Sequence, residues 1–260
     1  MFFDSHCHLS DDRFCSDFDS VLARAEIAQV NRILSISVDL DDATTIARFA
    51  DGKRVWMSAG VHPASALAWN DESDARLLEL AQHPNCRAIG ECGLDFVYDD
   101  KHAQFPGATR ARQAEVFEAQ LEIAAQLQLP VVIHNREATE EILSILEAWK
   151  SRLSGGTFHC FTSDWETAKR VLDLDFHLGF TGIVTFKNAP LVQEVARLCP
   201  LERMLIETDA PYLSPVPHRG KTNEPSFVPF VAQKIGELRG QSRDEIGRIT
   251  TDNARRLFGV

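Results

Sequence analysis

Two imidazoles stand two residues apart in Phe2-Phe3-Asp4-Ser5-His6-Cys7-His8, directly after an apolar start. On an extended chain, side chains at i and i+2 leave the same side, so His6 and His8 offer two nitrogens to one ion. Neutral imidazole pairs suit Zn, Mn or Fe. Further acids and imidazoles, Glu91, His134, His159 and Asp209, each sit where another short apolar run ends. Each has an ordinary explanation alone. A single His at a strand end is commonly hydrogen-bonded partial core, Glu91 an ion-pair partner, and Asp209, before Ala210-Pro211, the start of a turn. Their joint placement makes a run of separate accidents a strained account, and one metal-binding pocket collects them all.

Short runs rich in Val, Ile, Leu and Phe alternate with amphipathic segments of helical length, the pattern of repeated strand-helix units. The strand candidates are Met1 to Ser5, Arg32 to Val38, Val55 to Gly60, Arg87 to Glu91, Val131 to His134, Thr157 to His159, His177 to Phe180 and Met204 to Glu207. Helices are expected over Ser20 to Val30, Ala43 to Ala50, Ser73 to Gln82, Ala111 to Gln128, Thr139 to Lys150, Trp165 to Leu174 and Leu191 to Leu198. In Ala111 to Gln128 the apolar stripe falls on Ala114, Phe117, Leu121, Ala124 and Ala125. The tail from Ser226 to Phe258 reads as two helices split near Gly240, with Ser242 and Glu245 forming a capping box. About eight such units close a barrel. The expectation is an α/β protein with one domain over residues 1–260, a TIM (β/α)8 barrel whose chemistry gathers at the C-terminal ends of the strands. The suspicious residues obey that rule, with His6 and His8 closing the first strand, Glu91 the fourth, His134 the fifth and His159 the sixth, and Asp209 following the eighth.

Composition narrows the class. The chain has 260 residues, is 44% hydrophobic and 25% charged, and suits a well-packed protein with a large core. Its six cysteines form no CxxC pair, so reduced thiols are expected. Cys7, Cys92 and Cys160 adjoin candidate ligands and should point to the opposite faces as packing residues. A net charge of −11 excludes a broad basic coat for nucleic acid but leaves room for an enzyme that grips a few phosphates locally. No basic leader precedes an apolar core, and no apolar run approaches the roughly 20 residues of a spanning helix. A cytoplasmic protein without membrane attachment or obligate protein partner is expected.

The sequence resembles the TatD-type deoxyribonuclease family, a branch of the metal-dependent amidohydrolase-like barrels. The likeness is carried by Asp4-Ser5-His6-Cys7-His8-Leu9, Gly60-Val61-His62-Pro63, Ile89-Gly90-Glu91-Cys92-Gly93-Leu94-Asp95 and Pro130-Val131-Val132-Ile133-His134-Asn135-Arg136. It continues through His159-Cys160-Phe161, Glu207-Thr208-Asp209-Ala210-Pro211-Tyr212-Leu213 and Arg219-Gly220-Lys221-Thr222-Asn223-Glu224-Pro225. The resemblance implies two divalent ions, Zn, Mg or Mn. One would be held by His6, His8, Glu91 and Asp209, the other by His134 and His159, with Glu91 bridging. It also implies a deoxyribonuclease, acting as an exonuclease on short or single-stranded DNA ends, in which metal-activated water attacks a phosphodiester and Asp209 orients that water or takes its proton.

Phosphate would then be held by Arg136, two residues beyond His134, and by His62, with Arg219 and Lys221 approaching the nucleic-acid backbone. Glu207 is a candidate supporting acid behind the ligands. Phe96, Tyr98, Phe161, Trp165 and Tyr212 are candidates for stacking on a base, with packing the favoured reading for Phe161 and Trp165. Asp99-Asp100 with His102 reads as a solvated loop. The same metal pair would also serve hydrolysis of a small amide, lactone or phosphoester, which is the alternative activity; a non-enzymatic barrel that stores or senses metal is a third reading, at odds with the full ligand set.

Overall fold

A computed structural model describes residues 1–101 and 107–260. The chain runs β1 (Phe2–Cys7), α1 (Asp12–Cys15), α2 (Phe18–Ile27), β2 (Val30–Ser35), α3 (Leu40–Ala47), β3 (Val55–Ala59), α4 (Ser73–Ala81), β4 (Cys86–Asp95) and α5 (Arg110–Leu127). It continues β5 (Val131–Arg136), α6 (Thr139–Trp149), β6 (Gly156–Phe158), α7 (Trp165–Asp173), β7 (His177–Phe180), α8 (Pro190–Leu198), β8 (Met204–Ile206), α9 (Val228–Arg239) and α10 (Arg243–Phe258). The strands pair in parallel in the order β1 to β8. Backbone bonds from Asp209 N to His6 O (2.9 Å) and from His8 N to Ala210 O (2.8 Å) tie the chain after β8 to β1, so the edges of the sheet meet at the level of the candidate ligands. The expected barrel is the observed one.

Alternation along the strands sorts two cores. Phe2, Ile33, Val131 and Ile133 join the large cluster shared with the helices, while Phe3, Leu34, Trp56, Ala88, Val132 and Leu205 form a separate one. Ala254 and Phe258 of α10 pack on this second cluster. The Phe258 and Trp56 rings each lie 6.1 Å from that of Phe3. One end of the barrel interior is thereby filled with apolar side chains, and the polar residues collect at the other end.

Two strands break the simple alternation. Asp4 pairs with Ile33 and Cys7 with Ser35, so β1 carries one more residue than β2 across that interval. Likewise Ile89 pairs with Val131 and Cys92 with Ile133. Each is a bulge, and an extra residue reverses which side chains point inward. Phe3 and His6 therefore share the interior, as do Ala88 and Glu91. The strand expected to end at Glu91 instead runs on to Asp95, and the fifth, expected to end at His134, runs to Arg136.

Helix α5 differs from its expected stripe in an informative way. Ala114 and Ala125 are only half-buried, and Gln113 and Gln120 take buried positions instead. Each glutamine clamps a strand end through both amide atoms. Gln113 accepts from Asp95 N (2.8 Å) and donates to Asp95 O (3.0 Å), while Gln120 accepts from Val61 N (2.7 Å) and donates to Val61 O (2.9 Å). The helix thus fixes the backbone at Asp95 and beside His62, which satisfies buried amide groups that would otherwise be costly.

The β4 bulge needs room. A Cβ on Gly60 would stand 2.4 Å from Gly90 Cα, so β3 reaches this close to the bulge only because residue 60 is glycine. Gly60→Ala is expected to destabilise the protein by about 1–3 kcal/mol through overpacking. The measurement is the urea midpoint at unchanged slope, and an unmoved midpoint contradicts this packing account.

Candidate metal centre

Glu91 is 3% exposed and divides its two carboxylate oxygens between two groups of imidazoles. Oε2 faces His6 Nε2 at 3.4 Å and His8 Nε2 at 3.8 Å. Oε1 faces His134 Nδ1 at 2.6 Å, His159 Nε2 at 2.7 Å and His62 Nε2 at 3.8 Å. Asp209 completes the first group, with Oδ1 3.6 Å from His6 Nε2 and 3.4 Å from His8 Nε2. The residues come from the ends of different strands, and the two bulges turn His6 and Glu91 toward one another.

These contacts are too many for the protons available. His6 Nε2 and His8 Nε2 are 3.3 Å apart, and His134 Nδ1 lies 3.1 Å from His62 Nε2 and 3.3 Å from His159 Nε2 as well as close to Glu91. His8 Nδ1 lies 3.2 Å from Ile36 O. A carbonyl only accepts, so Nδ1 carries the proton of neutral His8 and Nε2 turns its lone pair into the cluster. Ligand atoms about 2.1 Å from a tetrahedral ion stand about 3.4 Å apart. The separations of 3.3 to 3.8 Å among His6, His8, Asp209 and Glu91 match that spacing. The donor set therefore fits a divalent metal on the His6 side of Glu91, and Glu91, His134 and His159 form a second group of candidate donors.

Electrostatics agree with a site built for positive charge. Burial opposes ionisation of Glu91, yet His159, His6, His62 and the hydrogen bond from His134 outweigh it and hold the carboxyl well below its ordinary range. Asp209 is likewise lowered despite burial, chiefly through the His8 contact and the charges of His6 and His159. Burial lowers His6, but His8 and His134 are raised and His159 is raised strongly, because the neighbouring carboxylates overcome the desolvation each suffers.

The family model for TatD related DNase matches residues 3–259. The chain belongs to that family. A metal-dependent hydrolase of Bacillus subtilis, YabD, itself called uncharacterized, is 40% identical over the whole of both chains. The 3'-5' ssDNA/RNA exonuclease TatD of Citrobacter rodentium is 37% identical over 99% of this chain and 98% of its own. A crystal structure of the TatD homologue YjjV from Escherichia coli superposes with a TM-score of 0.91 at 27% identity, covering 100% of this chain and 98% of that one. Membership makes the chain a hydrolase of ester bonds.

In this TatD-related barrel, a second ring of acids supports the imidazoles. Asp95 Oδ2 accepts from His134 Nε2 at 3.2 Å, which leaves Nδ1 free to face Glu91. Asp95 was not singled out in the sequence, although it closes a quoted motif; its sign was the i+4 position after Glu91 on a strand that runs longer than expected. Glu207, the expected supporting acid, is fully buried, accepts from Cys160 N at 2.6 Å and lies 3.7 Å from His159 Nδ1. Asp4 also escaped notice. It accepts from Thr208 N (2.8 Å) and from Thr208 Oγ1 (2.6 Å), and Thr208 Oγ1 in turn accepts from Ala210 N (3.1 Å). That chain brackets Asp209, which holds the left-handed backbone φ of 56°. Burial pushes the Asp4 carboxyl up to about 8.

The remaining candidates divide. His62 lies within the cluster; its Nδ1 accepts from Ala64 N at 3.0 Å, so in the neutral ring Nε2 carries the proton toward His134, and burial pushes its pKa down to about 3. Arg136 is exposed beyond His134, its guanidinium 5.3 Å from the Tyr98 ring centroid. Arg219 and Lys221 are exposed on the loop after β8, and Arg219 lies over Phe186 at 3.7 Å. The structure does not bring these three cations onto the imidazole cluster. Phe161 is buried, and Trp165 packs on the core, as favoured from the sequence. Cys7 and Cys92 are buried in the apolar core, and Cys160 Sγ lies beside Thr181 Oγ1 at 3.5 Å. The solvated reading of Asp99 is corrected, since Asp99 is 4% exposed and accepts from Arg110 Nε at 2.9 Å. His102 lies outside the described residues.

Two outcomes follow for metal binding, both readable by calorimetry. Asp95→Ala is expected to weaken affinity about 10- to 100-fold while the fold is kept; unchanged affinity contradicts the support assigned to it. Because His8, His134 and His159 have raised pKa values, binding of a cation must displace their protons. Affinity should therefore fall as pH falls, with protons released to buffer on binding, and pH-independent binding contradicts that assignment.

Proposed function

We propose that this chain is a cytoplasmic metal-dependent exonuclease that removes nucleotides from the ends of single-stranded DNA or RNA. The observation that supports it most is the division of the Glu91 oxygens between two sets of ligands. The name of the Citrobacter rodentium relative supplies the substrate class. His6, His8, Asp209 and Glu91 Oε2 would hold one divalent ion, and His134, His159 and Glu91 Oε1 a second, with Zn suiting the imidazoles and Mg or Mn the carboxylates. When bound, such ions would supply hydroxide from water near neutral pH and would polarise the phosphoryl oxygen.

The side chains divide the remaining work. Asp209, kept ionised by its imidazole neighbours, accepts the proton of the attacking water at its carboxylate and is aimed by the Asp4-Thr208 bracket. His62, neutral and protonated on Nε2, donates to a phosphate oxygen. Arg136 offers its planar fork to the phosphate at the mouth, while Arg219 and Lys221 meet the strand beyond the scissile bond. These cations sit in a chain of net charge −11, which favours a short contact with few phosphates over a long coated one.

The test is nucleotide release from end-labelled single strands with Mg, Mn or Zn. Wild-type protein is expected to release nucleotides, chelation to stop release, and Asp209→Ala to lower kcat at least about 100-fold in a folded protein. Arg136→Ala is expected to raise KM several-fold with a smaller effect on kcat. Turnover of small phosphoesters or amides with no nucleotide release under any metal overturns the proposal.

A further inference from the structure

Tyr212 is 49% exposed, yet the residues around it hold it firmly beside the metal centre. Its ring centroid lies 6.2 Å from that of His8, with the planes at 73°. Its backbone N donates to Asp209 O at 2.9 Å, and its carbonyl accepts from Asn223 Nδ2 at 2.6 Å. Both Asp209 and Asn223 are anchored in turn, Asp209 by His6 O and Asn223 by a 2.8 Å bond from Nδ2 to Thr208 O.

Its ring is backed as well. The Arg13 guanidinium lies 4.5 Å from the ring centroid. The Arg13 fork is in turn closed on Asp11 by bonds of 2.8 Å from Nε and from Nη2. Asp11 N donates to His8 O at 3.1 Å. An exposed aromatic ring thus stands on supports that lead back to His8 and Asp209. Exposing such a ring costs hydrophobic burial, and fixing it in advance removes the entropy that a ligand would otherwise have to spend in ordering it.

We propose that Tyr212 is a stacking surface for the base of the nucleotide whose phosphate occupies the metal centre. The ligand class is then a base-bearing nucleotide, and a bare sugar phosphate lacks half of the recognition. Every base has a π-face, so this contact distinguishes presence of a base without reading its sequence. The inference rests on the nuclease reading above and adds the recognition element that phosphate contacts alone do not give.

Calorimetry of the full chain with Mn decides it, comparing dTMP with 2-deoxyribose 5-phosphate. Wild-type protein is expected to bind dTMP about 5- to 100-fold more tightly, the range of one base-aromatic stack. Tyr212→Phe should keep that advantage. Tyr212→Ala should abolish it while leaving the sugar-phosphate affinity within about twofold, since the phosphate contacts are made elsewhere. Equal affinities in the wild type, or an advantage that survives Tyr212→Ala, overturn the stacking role and leave the phosphate site standing. Binding of neither compound overturns the nucleotide reading together with it.

Discussion

Lone pairs and carboxylate oxygens converge at one end of the barrel, and the architecture depends on what resolves that convergence. Glu91 is buried among His6, His62, His134 and His159, and no arrangement of single protons gives every short contact among them a donor and an acceptor. Protonated imidazoles relieve part of the conflict in the metal-free chain, which is why several of these pKa values rise against the pull of burial. A divalent cation would relieve more of it, because the unprotonated nitrogens and the carboxylate oxygens would then face a positive centre.

The rest of the molecule serves that geometry. Bulges in β1 and β4 turn His6 and Glu91 inward at the height where β5, the end of β6 and the segment after β8 bring His134, His159 and Asp209. Gly60 admits the bulge, and Gln113 and Gln120 of α5 grip the strand ends from outside. Asp95 stands behind His134 and Glu207 behind His159, so each of these imidazoles is oriented by an acid on its far nitrogen. At the opposite end Phe3, Trp56 and Phe258 close the interior with apolar packing. Stability and chemistry are thereby separated along the barrel axis, as parallel barrels permit.

Much of this was legible before any coordinates. Strand and helix periods differ, so the alternating units and their number could be read directly, and ligand types at the ends of apolar runs marked the pocket. What could not be read depends on pairing between distant segments. A bulge exists only relative to the neighbouring strand, so the inward turn of Glu91 left no local sign. Asp4 and Thr208 meet across a separation of 204 residues, and nothing near either residue announces the bond. The glutamines of α5 lay under an apolar stripe drawn from hydrophobicity alone, which has no means of marking polar side chains buried to satisfy backbone groups. Asp99 looked solvated because its partner Arg110 lies 11 residues further along the chain.

Anomalous diffraction from crystals grown with Mn tests the central claim most directly. The account predicts two peaks flanking Glu91, one beside His6, His8 and Asp209 and the other beside His134 and His159. A map with no peak between these side chains, from protein crystallised at neutral pH in excess Mn, would contradict it.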